Sequence, residues 1–431
     1  MNFNTISIIG LGYIGLPTAA AFAAKQTQVL GVDVNPYIVD TINAGNIHIV
    51  EPELADAVKQ AVETGFLRAT ATPQAADAFL IAVPTPFRDG YLPDMSAVEA
   101  AVMAIAPVLK SGDLVVLEST SPVGTTEQVA QWLASVRPDL TFPHQQADTC
   151  DVHIAYCPER VLPGRIMAEI INNDRVIGGM TKRCSARACQ LYSRFLIGQT
   201  VITDARTAEM CKLTENSYRD VNIAFANELS LICAAQGINV WELIKLANLH
   251  PRVNILQPGP GVGGHCIAVD PWFIVAQNPQ LARLIRTARE VNDAKPEWVI
   301  NQVKKALAES LVNSDKRASE LTIACFGLAF KADVDDLRGS PALDIAGTLA
   351  QWHSGLTLVV EPHIKTLPAG FPTATQLTDA QTALQQADIL VMLVDHSQFK
   401  AMATKVKAVH TVVDTRGIWC QRDGIADRAV K

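Results

Sequence analysis

The sequence has no dense block of lysine and arginine, and none of aspartate and glutamate. Without a basic stretch to track a phosphate backbone, nucleic acid is not expected as a partner. The formal net charge of −7 mainly favours solubility. No uninterrupted apolar run reaches the ~18–20 residues that a membrane-spanning helix needs, so no membrane partner is expected. The opening MNFNTISIIG carries neither the basic n-region nor the small-residue cleavage site of a secretory signal. The nine cysteines are odd in number, scattered, and never spaced C-x-x-C. That argues against a disulfide framework and against a structural zinc site, so no metal is expected and a reducing, cytoplasmic setting is. What is present, 49% apolar and 18% charged residues in a chain of 431, reads as a packed globular protein of two or three domains.

The clearest architectural signal lies in the first fifty residues. An apolar, β-branched run, Thr5 to Ile9, leads into Gly10-Leu11-Gly12-Tyr13-Ile14-Gly15. A helical, alanine-rich segment from Pro17 to Ala24 comes next, and a second apolar run, Val29 to Val32, ends at Asp33. Strand, G-x-G-x-x-G, helix, strand and acidic residue in that order are the fingerprint of a dinucleotide site. Gly10 permits the tight turn, Gly12 lets a pyrophosphate approach the backbone, and Gly15 allows the helix to pack close to the strand. The helix N-terminus offers free N–H groups to the phosphates. Asp33 takes the ribose hydroxyls and repels a 2′-phosphate, which favours NAD over NADP.

Further apolar runs end in turns rich in threonine and proline: Ala78–Val83 before Pro84-Thr85-Pro86, and Leu114–Leu117 before Glu118-Ser119-Thr120-Ser121-Pro122. Such strands suit a parallel sheet covered on both faces, with ligands beyond the carboxyl ends. A degraded copy of the pattern recurs at Leu321–Lys331, Leu356–Pro362, Asp388–Asp395 and Val412–Arg416. It predicts a second Rossmann-like domain that grips a nucleoside diphosphate with cations. Between the two, Thr207 to Gln236 contains no glycine or proline and shows helical spacing of apolar residues. A second helical stretch runs from Leu281 to about Leu311. The expected architecture is α/β, two Rossmann-like doubly wound parallel-sheet domains joined by a long central helix and a helical middle domain. The expected domains are 1–203, 204–312 and 313–431, with a homodimer through the middle one.

The segment Pro258-Gly259-Pro260-Gly261-Val262-Gly263-Gly264-His265-Cys266-Ile267-Ala268-Val269-Asp270-Pro271 stands apart. Its glycines let the backbone close around a bulky polar ligand, and the residues after the glycines read as a helix start. A cysteine there has more thiolate character, which makes Cys266 the candidate nucleophile. The other eight cysteines read as inert. On the central helix, Lys212, Asn216, Arg219 and Ile223 form one stripe. NAD combined with a nucleophilic thiol suggests an alcohol oxidised to a carboxylate with two NAD, through a thiohemiacetal and a thioester.

Seven motifs stand in order: G-L-G-Y-I-G at 10–15, V-P-T-P at 83–86, S-T-S-P-V-G at 119–124, C-P-E-R at 157–160, A-E-M-C-K-L-T-E-N at 208–216, G-G-H-C at 263–266, and F-K at 330–331 with Arg338. On these the chain resembles the nucleotide-sugar 6-dehydrogenases, the group of UDP-glucose dehydrogenase, over essentially its whole length. The resemblance implies that Cys266 forms the thiohemiacetal and thioester. It implies Lys212 as proton donor or acceptor, with Asn216 beside it and Asp270 orienting both, and Thr120 and Glu159 holding or activating water. It assigns a UDP-sugar to Arg160, Val161, Lys212, Asn216, Arg219, Gly263, Phe330, Lys331, Arg338 and Arg416, with His250 and Arg252 reaching a neighbouring subunit. NAD would use Tyr13, Ile14, Asp33, Thr85 and Thr126. One departure stands out: where the family usually has E-F-L-x-E-G, this chain has Glu159-Arg160-Val161-Leu162-Pro163-Gly164. Losing the second carboxylate argues against plain UDP-glucose and leaves open which group activates water. Two other classes remain, a single-step hydroxy-acid dehydrogenase and a non-enzymatic dinucleotide-binding scaffold. Counting NADH per substrate separates the three, at two, one or none.

Overall fold

The computed structural model describes residues 3–49, 51–162, 164–407 and 409–419, so Pro163 and Cys420 lie outside the described residues. It divides into two compact units, Met1–Glu215 with Trp272–Gln277, and Asn216–Pro271 with Asn278–Lys431.

In the first unit the strands are β1 (Thr5–Ile9), β2 (Gln28–Val32), β3 (Leu67–Thr70), β4 (Ala78–Ile81), a hairpin of β5 (Phe87–Arg88) and β6 (Leu92–Pro93), β7 (Leu114–Leu117), β8 (His153–Tyr156), β9 (Arg175–Gly179) and β10 (Thr200–Asp204). Eight of them form one sheet in the order β10-β9-β8-β7-β4-β1-β2-β3. Leaving the hairpin aside, the run 3-2-1-4 and onward is the order of a dinucleotide fold, whose switch point lies between β1 and β4. Side-chain alternation explains why every central strand is apolar throughout. Ile6, Ile8, Ala78 and Leu80 enter one core, whereas Ile9, Phe79, Ile81 and Leu117 enter the core on the opposite face.

One junction departs from the expected parallel sheet. Strand β9 runs antiparallel to β8, pairing Ala155 with Gly179 and Tyr156 with Gly178. The connection from β8 returns along the carboxyl edge, so β9 begins there, and continuing the register brings Arg175 level with Glu159.

The second unit carries β11 (Ile323–Phe326), β12 (Thr357–Val360), β13 (Thr375–Leu377), β14 (Ile389–Met392) and β15 (Thr411–Asp414). They form an all-parallel sheet in the order β13-β12-β11-β14-β15, again with a core on each face. The long helices run Ala205–Gln236 and Arg283–Val312, within two residues of their expected ends. Inside the second unit, Arg289 donates to Asp220 at 2.7 Å and Asn227 to Asn292 at 2.9 Å. Both pairs are buried, so each charged group and amide meets a polar partner inside the protein, although Asp220 Oδ2 and Arg289 Nε have none of their own.

Candidate active site

The three glycines of the first turn meet three different constraints. Gly10 has φ +91°, a left-handed backbone that favours glycine. A Cβ on Gly15 would sit 1.8 Å from the Gly10 carbonyl oxygen, so the helix Gly15–Ala23 approaches the turn as closely as glycine allows. Around Gly12 nothing lies within 4 Å of a Cβ, which leaves that side open for a pyrophosphate. Asp33 closes the turn from β2. Leu11 N–H donates to its Oδ2 at 3.0 Å and Asn35 N–H to its Oδ1 at 2.9 Å. Both oxygens are oriented and keep lone pairs for ribose hydroxyls. Tyr13 and Ile14 flank the turn half-buried. The Thr85 hydroxyl donates to the Thr120 carbonyl at 2.6 Å, joining two of the threonine turns at this edge.

Thr126, expected at the cofactor, is held from within the protein. It is fully buried, and its amide and hydroxyl both donate to Glu209 Oε1, at 2.7 and 2.6 Å. Gly124 N–H donates to Glu209 Oε2 at 2.6 Å. Thr126 thus anchors the start of the helix Thr125–Val136 to a buried glutamate. Glu209 belongs to the motif A-E-M-C-K-L-T-E-N, which was the signal available in the sequence for it.

Beyond β7 and β8 lies a buried acidic network. Arg175 donates to Glu159 Oε2 at 2.6 Å and stands 3.9 Å from Glu118 Oε1. Tyr192 donates to that same Glu118 oxygen at 2.5 Å, and the Arg175 guanidinium lies 4.7 Å from the Tyr192 ring centre. Burial pushes the Glu118 carboxyl up to about 7, with Arg175 pulling the other way. Burial likewise pushes the Cys157 thiol up to about 12, as befits an inert cysteine. Sequence reasoning missed the roles of Glu118, Arg175 and Tyr192, because they come from the end of β7, from the antiparallel β9 and from the helix Lys182–Tyr192, which only the fold brings together. The other Glu159 oxygen accepts the Arg160 N–H at 2.7 Å. The Arg160 guanidinium, expected beside the sugar, is instead held by Glu215 at 2.6 Å and by the Asp174 carbonyl. Val161 packs half-buried on the core. Lys212 is 8% exposed and pairs with no described residue.

In the second unit the glycine segment closes over the start of the C-terminal domain. A Cβ on Gly263 would meet the Gly339 carbonyl oxygen at 2.5 Å and Pro341 Cδ at 2.6 Å. Gly264, at φ +84°, donates its N–H to the Gly339 carbonyl at 3.2 Å and faces the Phe330 ring. Asn227 fixes the base of the segment by accepting the Gly259 N–H at 2.9 Å. A cleft beside it is lined by Gly261, Phe330, Lys331, Asp395 and Arg416. Arg416 reaches Asp395 at 2.6 and 2.9 Å. Arg338, expected to join these cations, is absent from the lining and forks onto Asp336 at 2.7 and 2.8 Å.

Cys266 is exposed, and among the described cysteines it alone is. The helix starts at Asp270 rather than at Cys266, whose carbonyl accepts the N–H groups of Val269 and Asp270 at 3.1 and 2.9 Å. A turn therefore separates the thiol from the helix. Asn216 Nδ2 donates to the buried Asp270 Oδ2 at 2.5 Å, an orienting contact. Arg219, His250 and Arg252 are exposed.

This pairing of an NAD-type turn with a thiol loop and a cationic cleft has close counterparts. Three family models match in order: the NAD binding domain of the UDP-glucose/GDP-mannose dehydrogenase family over residues 4–196, its central domain over 206–294 and its UDP binding domain over 324–421. The UDP-N-acetyl-D-mannosamine dehydrogenase of Salmonella typhi is 70% identical over 97% of this chain and 100% of its own length. The NDP-N-acetyl-D-galactosaminuronic acid dehydrogenase of Ralstonia nicotianae is 62% identical, covering 97% of each. Among solved structures, a UDP-D-ManNAc dehydrogenase from Pyrococcus horikoshii superposes with a TM-score of 0.87 at 36% identity, over 99% of each chain. Matched along its length by all three domain models, and by so similar a relative, the chain belongs to the UDP-glucose/GDP-mannose dehydrogenase family of NAD-dependent nucleotide-sugar oxidoreductases.

Proposed function

We propose that this enzyme oxidises C6 of UDP-N-acetyl-D-mannosamine to the uronic acid, a building block for surface polysaccharide, consuming two NAD and one water per sugar. The observation that carries this is the glycine segment of Gly259–Cys266. It bears the one exposed thiol among the described cysteines and packs against Phe330, which lines a cleft with Lys331 and Arg416. The sugar itself rests on the 70% identical relative, a UDP-N-acetyl-D-mannosamine dehydrogenase matched over its whole length.

Asp33 and the Gly10–Gly15 turn hold the dinucleotide, which when bound supplies the hydride acceptor for both oxidations. Lys212 takes the proton from the C6 hydroxyl in the first oxidation. The Cys266 thiolate then adds to the aldehyde carbon, and the new oxyanion is stabilised by Lys212 and by Asn216, which Asp270 orients. Loss of a second hydride leaves a thioester on Cys266. Water held by Thr120 and Glu159 attacks it, releasing the carboxylate and returning the thiol. The diphosphate is met by Lys331 and Arg416, cations suited to its charge. Arg175 holds Glu159 in place, and the loss of the second family carboxylate at Pro163 leaves Glu159 the one acidic group of this motif.

A second copy of the chain is the proposed partner. Tyr218, Phe225 and Ile232 recur every seven residues along Ala205–Gln236 and are 69%, 51% and 46% exposed. An apolar stripe of that kind suits burial against a neighbour. His250 and Arg252 are the residues proposed to reach the partner's site. A cytoplasmic location is proposed from the odd number and scatter of the nine cysteines in the sequence.

The test is a panel of UDP-N-acetylmannosamine, its C2 epimer UDP-N-acetylglucosamine, UDP-N-acetylgalactosamine and UDP-glucose. The mannosamine sugar should give the highest kcat/KM by at least tenfold. A preference for the glucosamine epimer would move the assignment to that sugar.

A further inference from the structure

Away from this machinery, the fold gathers three metal-ligating side chains that the sequence scatters. Cys150 lies in the turn before β8, His153 is the first residue of β8, and Cys184 sits in the first turn of the helix Lys182–Tyr192. All three belong to the first unit and are buried, at 4%, 2% and 0% exposure. His153 Nδ1 is 3.8 Å from Cys150 Sγ and 4.0 Å from Cys184 Sγ, and all three donor atoms lie within 4.8 Å of one another. The scatter that argues against zinc in the sequence is therefore undone by folding. C-x-x-H at 150–153 was the local signal, and its partner is more than thirty residues away.

The spacing is that of a ligand set. Bond lengths of about 2.3 Å to sulfur and 2.0–2.1 Å to nitrogen, at tetrahedral angles, put sulfur and nitrogen about 3.6 Å apart and two sulfurs about 3.8 Å apart. The observed separations of sulfur from nitrogen need to shrink by only a few tenths of an ångström. Charge balance also fits. Two thiolates neutralise a divalent cation, so the filled site carries no net charge into the interior.

A second grouping, Asp333, His363 and His396, lacks this fit. Both ring nitrogens of His396 are engaged, Nδ1 by the Asp333 N–H at 2.9 Å and Nε2 by Glu361 at 3.1 Å.

We propose that Cys150, His153 and Cys184 form a buried site for a thiophilic divalent cation, with Zn2+ the best match and the Thr181 hydroxyl, 3.3 Å from Cys184 Sγ, at hand as a fourth donor. The ion pins the turn before β8 to the N-cap of the helix Lys182–Tyr192, where Thr181 already accepts the Cys184 N–H. Its role is structural, and it takes no part in the oxidation.

The experiment titrates Co2+, a spectroscopic substitute for Zn2+, into the full-length protein carrying Cys266→Ser, so that the exposed thiol cannot bind metal. The expected result is a thiolate-to-cobalt charge-transfer band that saturates at one equivalent per chain and is displaced by one equivalent of Zn2+. Added Zn2+ should raise the melting temperature, since it binds only the folded state. Cys184→Ser and Cys150→Ser should each weaken binding at least tenfold, about 1.4 kcal/mol. No thiolate band in the folded protein would overturn the proposal without recourse to any cluster variant. So would a band unchanged by both substitutions, which would place the metal elsewhere.

Discussion

Glu118→Gln is the sharpest probe of the acidic network behind Glu159. Glu118 ends the apolar run of β7, fully desolvated, with Tyr192 on one oxygen and no partner on the other. Its ordinary value of 4.5 rises to about 7, chiefly through burial. A carboxyl with a raised folded-state pKa contributes its full stability only below the unfolded value, and that contribution is lost as pH climbs through the folded one. From 4.5 to about 7 the total loss is about 3 kcal/mol, at roughly 1.4 kcal/mol per pH unit. Between about pH 5.5 and about pH 8.5 the loss is roughly 2 kcal/mol. Glutamine keeps an acceptor for Tyr192 and removes the charge, leaving Arg175 to Glu159 alone. Urea unfolding of parent and variant at those two pH values reads the effect. The variant should gain about 2 kcal/mol on the parent on going to the alkaline pH. An equal difference at both pH values, or one of opposite sign, would show that Glu118 is not held in a desolvated site and would refute this network.

Replacing Cys266 by Ala should abolish acid formation while NAD still binds; near-normal uronic acid production by that variant would end the thioester mechanism. Asp33→Ala should weaken NAD and relax its advantage over NADP, because the oriented carboxylate no longer meets the ribose or repels a phosphate, and an unchanged ratio would place the ribose elsewhere. Lys331→Ala should raise the KM for the UDP-sugar at least tenfold, about 1.4 kcal/mol, with much less effect on NAD. Arg338→Ala should raise it less than Lys331→Ala does, since its guanidinium already forks onto Asp336; steady-state kinetics on both variants decide this.

Both sheets and both long helices were legible in the sequence because their signals are local. Apolar strands ending in glycine, threonine or acidic residues announce a doubly wound sheet, and thirty residues without glycine or proline announce a helix. The first glycine turn was legible residue by residue, since each glycine answers a constraint set within a few positions. What stayed hidden depends on pairing across the fold. The reversal of β9 has no mark in its own sequence, yet it delivers Arg175 to Glu159. The hydroxyl of Thr126 finds its acceptor in Glu209, 83 residues later. Arg160 reads as a free cation until Glu215, 55 residues later, is found holding it, whereas the Asp336 that holds Arg338 is a neighbour visible in the sequence. Charge alone advertises a ligand, whereas the partner that satisfies it is fixed only by tertiary structure.

The central claim, a four-electron oxidation through a thiol, is tested most directly by stoichiometry. A limiting, weighed amount of UDP-N-acetylmannosamine is run to completion with excess NAD, and NADH is read by absorbance. Two NADH and one uronic acid per sugar are predicted, with no aldehyde accumulating. One NADH per sugar, with the product halted at the aldehyde, would contradict the thioester route.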